Sequence, residues 1–129
     1  MFLHGSINDI EVGAILVPGD ELDVNTNGGK SDYVYLVSTD GYSLTECEGG
    51  ESYDNTFDFA VSEALWWGGD KFIYVVEPLG NLLYDDHHDV SPACMKTNSA
   101  RVVKKYDAAE YSFDELCDVL KNSEKKGYW

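Results

Sequence analysis

The sequence predicts an α+β protein built around one core, and three observations carry that prediction. Short apolar segments rich in β-branched and aromatic residues alternate with polar, glycine-containing loops, the pattern of strands. Two other segments repeat their apolar positions with a helical period. Internal repeats and low-complexity tracts are absent, so the elements belong to a single fold spanning residues 1–129.

Phe2-Leu3 is a short apolar start, and Ile15-Leu16-Val17 is another, closed by the turn-forming dipeptide Pro18-Gly19. Tyr33-Val34-Tyr35-Leu36-Val37 is aromatic or β-branched at nearly every position and suits a strand buried on both faces. Residues 38–55 show no sustained period and many Gly, Ser, Asp and Glu, which predicts an acidic loop or hairpin. Phe57, Ala60, Val61, Ala64 and Leu65 then form one helical stripe, capped by Asn55 or Thr56 and ended by Gly68-Gly69. Phe72-Ile73-Tyr74-Val75-Val76, closed by Pro78, is the strongest strand and should lie centrally. A further strand is expected around Val102-Val103, between residues 100 and 105. Ser112 and Glu115 form a capping box for a last helix, residues 112–122, whose stripe is Phe113, Leu116, Cys117 and Leu120.

With 129 residues and 43% hydrophobic composition, the chain can bury one sizeable core and has no length for a second domain. Nine Lys and Arg against 24 Asp and Glu leave a formal charge of −15, which repels phosphate polymers and anionic membrane surfaces. Broad nucleic-acid binding and membrane association are therefore not expected. Cys47, Cys94 and Cys117 are odd in number and lack C-x-x-C spacing, so they are read as incidental thiols of a reducing compartment. The N-terminal residues lack the pattern of a signal peptide, and no run approaches the ~18 apolar residues of a membrane span. A soluble, cytoplasmic protein is expected.

Three places hold more polar chemistry than packing requires: His4-Gly5-Ser6, Tyr35, and the run from Asp85 through Asp86, His87 and His88 to Asp89. Each has a plain alternative as a solvated His, a core Tyr with a paired hydroxyl, and an exposed loop. Adjacent side chains of an extended run point to opposite faces, and no second ligand group follows, so spacing speaks against a metal site at 85–89. Phosphate loops, G-x-G-x-x-G turns and G-x-S-x-G elbows are absent.

The order of several segments is more telling than any one of them. L-H-G-S at 3–6, V-G-A-I-L-V-P-G at 12–19, Y-V-Y at 33–35, T-F-D-F-A-V at 56–61, I-Y-V-V-E-P-x-G at 73–80, Asp85 eight residues after Glu77, and S-A-R at 99–101 follow one another. Together they resemble the rifamycin ADP-ribosyltransferase family over roughly residues 2–106. The resemblance implies a compact ADP-ribosyltransferase fold, with two small, mostly antiparallel sheets split around an NAD cleft and two or three helices. It implies a catalytic trio of His4, Tyr35 and Asp85. In that family the histidine holds an NAD ribose hydroxyl, the backbone of the next residue, here Gly5, pairs with the nicotinamide amide, the tyrosine stacks on the nicotinamide ring, and the aspartate lies near the nicotinamide ribose. Ser6 would add a hydroxyl for ribose or phosphate. Arg101, the one arginine of the chain, falls on the S-x-R position and would support the cleft or the pyrophosphate, or else form a structural ion pair.

The physical logic of such a trio is independent of the family. Breaking the nicotinamide glycosidic bond spreads positive charge over the ribose while neutral nicotinamide leaves, so a fixed carboxylate beside that ribose lowers the barrier. An aromatic ring over cationic nicotinamide supplies binding and orientation. Two departures bear on the acceptor: the 38–55 stretch is longer and more acidic than the family's connection, and Asp86-His87-His88-Asp89 replaces its Pro-Asn run. A rifamycin is bulky and largely apolar, whereas Glu46, Glu48, Glu51 and Asp54 suit a cationic or polar target. The expected activity is transfer of ADP-ribose from NAD, the co-substrate, to a rifamycin-like hydroxyl as in antibiotic resistance, or to a macromolecule as in an effector, defence or phage modifier. The rival classes are an acidic mimic that binds a basic partner without catalysis, and a relative that binds NAD without turnover.

Overall fold

The computed structural model describes residues 1–18, 33–39, 56–84 and 94–125. Its order is β1 (Phe2–Ser6), β2 (Ile15–Leu16), β3 (Val34–Ser38), α1 (Thr56–Trp67), β4 (Phe72–Pro78), β5 (Leu83–Tyr84), β6 (Cys94–Thr97), β7 (Ala100–Asp107), a 3-10 turn (Ala108–Glu110) and α2 (Phe113–Lys125). The α+β class follows directly. The described strands form one seven-stranded sheet in the order β2-β7-β4-β1-β3-β6-β5, antiparallel at every pairing.

This sheet corrects the expectation of two separate ones. Its halves meet between β1 and β3, where only Phe2 with Ser38 and Leu3 with Val37 are in register. On the other side β1 pairs with β4 along all five of its residues. The sheet is therefore joined at one end of β1 and open at the other.

Each face of the sheet has its own core. Alternation sends Leu3, Val37, Ile73 and Val75 to the face covered by α1 and α2, where Phe57, Ala60, Val61, Ala64, Leu116, Cys117 and Leu120 meet them. Val34, Leu36, Tyr74, Val76, Ala100 and Val102 point the other way and pack with Ile10 and Leu16. This two-sided burial is what the near-continuous apolar run of β4 requires, and β4 lies between β7 and β1 as a central strand should. Tyr74 is fully buried on the face away from the helices, and its hydroxyl donates to the Asn8 carbonyl at 2.5 Å while accepting from the Ile10 N–H at 2.8 Å. The loop after β1 is thereby tied onto the sheet. A bulge in β7 sets Val76 opposite Val102 but Val75 opposite Lys104, which lets Val102 and Lys105 share a face despite their odd separation.

The helices begin and end as their side chains dictate. Ser112 and Glu115 exchange side-chain to backbone hydrogen bonds at 3.2 Å each, the reciprocal cap expected of them. Of the predicted caps of α1, Asn55 and the Thr56 side chain lie outside the described residues. Gly69 and Asp70 adopt positive φ after the helix, which ends it. α2 clasps α1 through Lys121, whose Nζ is 3.6 Å from Asp58 Oδ1 and 5.4 Å from the Phe57 ring centre.

Between the helices, burial and the adjacent Asp58 carboxylate push the Cys117 thiol from its ordinary 9.0 up to about 12. A raised thiol pKa favours the fold fully below the unfolded value and loses that contribution as pH climbs toward the folded one. Stability is thus expected to decline between about pH 9 and 12 for this group. Site-resolved alkylation at pH 8 is expected to leave native Cys117 unmodified and to label it after urea unfolding; equal labelling in both states contradicts its burial.

Candidate active site

Of the residues of the expected site, His4, Gly5 and Tyr35 lie where β1 and β3 part. The Met1 carbonyl accepts the Thr39 N–H at 3.0 Å, so the backbone polar groups of Met1, Leu3 and Gly5 all face β3 by strand alternation. Pairing stops at Leu3. Gly5, which lies opposite Tyr35 if that register is extended, therefore turns its N–H and C=O toward the opening rather than into a ladder.

His4 spans the same opening. Its side chain is buried, and its Nδ1 is 2.7 Å from the Tyr35 carbonyl oxygen. A carbonyl only accepts, so Nδ1 carries the hydrogen and Nε2 becomes the acceptor of the neutral ring. That tautomer is the one that can receive a hydroxyl donor. Tyr35 sends its ring to the helix side, where it meets the Trp67 ring edge-on at 6.0 Å and 83°. His4, one residue before Gly5, leaves β1 on the face of Tyr74, so the two side chains flank the opening from opposite faces.

Gly5 also has a packing duty. A Cβ at this position would lie 1.7 Å from the Ala64 carbonyl oxygen and 2.8 Å from the Gly68 nitrogen, both backbone atoms at the end of α1. Gly68 reciprocates, since its own Cβ would lie 2.7 Å from the Ser6 nitrogen. The two glycines let β1 and α1 touch backbone to backbone, which brings Trp67 down to Tyr35. Ser6 is buried, and its hydroxyl oxygen accepts the Asn8 N–H at 3.1 Å, closing the turn after β1.

Arg101 stands apart. It lies opposite Glu77 on β7 and pairs with that carboxylate, both side chains being partly exposed. From His4 it is two strands across and three residues along, about 10 Å in each direction. Of the two roles the sequence offered it, the ion pair is the one formed. Asp85, His87 and His88 lie outside the described residues, as do positions 40–55 of the acidic stretch. The strand leading to Asp85 is β5, in which Leu83 and Tyr84 pair with Lys96 and Met95 of β6, themselves opposite Tyr35 and Leu36 of β3.

Sequence reasoning missed two side chains here. Trp67 falls outside the apolar stripe used to place α1, and Lys96 sits in a segment not read as a strand. Among the described residues no cluster of three or more His, Cys, Asp or Glu gathers in metal-binding fashion, and no helix is long and apolar enough to cross a membrane. No protein-family model matches the chain, and comparison with curated proteins finds no match.

Proposed function

We propose that this chain is an NAD-dependent mono-ADP-ribosyltransferase with the compact fold of that superfamily. The feature that supports the reading is the parting of β1 and β3 after Leu3, which leaves buried Gly5 beyond the ladder with its N–H and C=O directed toward β3 by strand alternation, beside His4 and the Tyr35 carbonyl that His4 contacts. A nicotinamide carboxamide is a primary amide, with a C=O acceptor and an N–H donor side by side on one edge. Its C=O can accept the Gly5 N–H while its N–H donates to the Gly5 C=O, which places the pyridinium ring in the opening.

From that position each residue has one task. Tyr35, steadied by Trp67, offers its ring to the cationic pyridinium, an attraction worth about 0.5–2 kcal/mol that fades as neutral nicotinamide forms. His4, held by the Tyr35 carbonyl, presents Nε2 to a ribose hydroxyl and fixes the sugar. The bond from ribose C1′ to the pyridine nitrogen breaks with its electron pair going to nicotinamide, and Asp85 stabilises the positive charge left on the sugar. An acceptor oxygen then bonds to C1′ and gives up its proton to solvent. A rifamycin-like hydroxyl is the first acceptor to try, and a macromolecular hydroxyl the second.

The test is nicotinamide release from NAD by the purified full chain, with and without acceptors of both kinds. Release that rises with one acceptor class, with ADP-ribose recovered on that acceptor, is expected. NAD left intact under all conditions overturns the reading.

A further inference from the structure

NAD carries a dianionic pyrophosphate, and a chain with a formal charge of −15 repels it unless a local cation or backbone N–H groups meet it, a cation doing most against that field. The described cations are not equally placed to serve. Arg101 is matched with Glu77, Lys105 with Asp9 and Lys121 with Asp58. Lys71 follows α1 in the turn before β4, and Lys104 lies on β7, three strands from β3. Lys96 alone of these is directly cross-strand from Tyr35, so the two side chains share a face of the sheet about 5 Å apart at their bases.

Its surroundings hold it there. The Lys96 ammonium lies 4.6 Å from the centre of the Tyr33 ring, two residues from Tyr35, and among the described residues it makes no ion pair. A ring face attracts an ammonium without supplying a lone-pair acceptor, so its N–H donors keep their capacity for an oxyanion. Lys96 thus stands beside Tyr33 and Tyr35, with Trp67 edge-on to Tyr35, three aromatic rings and one positive charge, a combination suited to a nucleotide.

We propose that Lys96 is the pyrophosphate contact of this site, the role that the sequence alone offered to Arg101. This assignment rests on the NAD reading above and adds the group that holds the phosphates. Calorimetric titration of the wild-type chain, Lys96→Met, Lys96→Arg and Arg101→Met with three probes separates the possibilities: NAD, ADP-ribose, and nicotinamide riboside, which has no phosphate. Lys96→Met is expected to weaken NAD and ADP-ribose about tenfold or more and to leave the riboside within about twofold, with most affinity regained in Lys96→Arg and none lost in Arg101→Met. Wild-type affinity for NAD is expected to fall more steeply with salt than that of Lys96→Met.

NAD bound equally by wild type and Lys96→Met sinks the lysine assignment alone. Equal losses for all three probes mark Lys96 as structural and also overturn it, as does a comparable loss in Arg101→Met. A wild-type chain that binds none of the probes removes the NAD reading and this inference together.

Discussion

Asp85→Ala is expected to release nicotinamide from NAD about a thousandfold more slowly than the wild-type chain. The magnitude follows from charge: a carboxylate ~4 Å from a developing positive centre, at an effective dielectric near 20, is worth about 4 kcal/mol, and each ~1.36 kcal/mol is a factor of ten in rate. Asp85→Asn keeps the shape and loses the charge, so it should fall nearly as far. Affinity for NAD should change much less than turnover, because the stabilised charge is larger in the transition state than in the bound substrate. Unfolding midpoints equal to wild type establish that the fold is intact. A variant retaining more than about a tenth of the wild-type rate with that fold removes Asp85 from the chemistry.

Gly5→Ala is expected to destabilise the protein by about 3 kcal/mol or more, or to prevent folding. The added methyl would stand 1.7 Å from the Ala64 carbonyl oxygen, and that neighbour is helix backbone with no rotamer to escape into. Either α1 lifts from β1 or the strand shifts, and both part Trp67 from Tyr35. Urea denaturation measures the loss, and an unchanged midpoint contradicts the close seam. Gly68→Ala meets the Ser6 nitrogen at 2.7 Å and the Phe72 carbonyl oxygen at 2.9 Å, so it should behave alike without altering any group assigned to substrate.

Much of this fold was legible in the sequence because local pattern decided it. The five apolar residues from Phe72 became the central strand β4, and the Ser112 and Glu115 pair capped α2 as its spacing required. Hydrophobicity marks the first strand only at Phe2-Leu3, yet β1 continues through His4, Gly5 and Ser6, because pairing with β4 sets its length. The sequence does not announce β5 and β6. Leu83-Tyr84 is too short for a period, and Cys94-Met95-Lys96-Thr97 has no clean alternation, so their strand character comes from pairing, β6 with β3 and β5 with β6.

Of the candidate site, the sequence points to positions but not to the contacts between them. His4 and Tyr35 were picked out by order along the chain, and the structure joins them through a hydrogen bond that no local pattern encodes. Arg101 carries two readings in the sequence, and the structure pairs it with Glu77. Trp67 and Lys96 give no signal, since what sets them apart is that the helix seam and the β3–β6 register bring both beside Tyr35. The single seven-stranded sheet in place of two follows from the Phe2–Ser38 and Leu3–Val37 pairs, a junction of two residues that composition cannot announce.

The most direct test is a crystal structure of the full chain soaked with NAD. The nicotinamide carboxamide should pair with the Gly5 N–H and C=O, its ring against Tyr35 and a ribose hydroxyl on His4 Nε2. NAD bound elsewhere, with the edge between β1 and β3 untouched, contradicts the account.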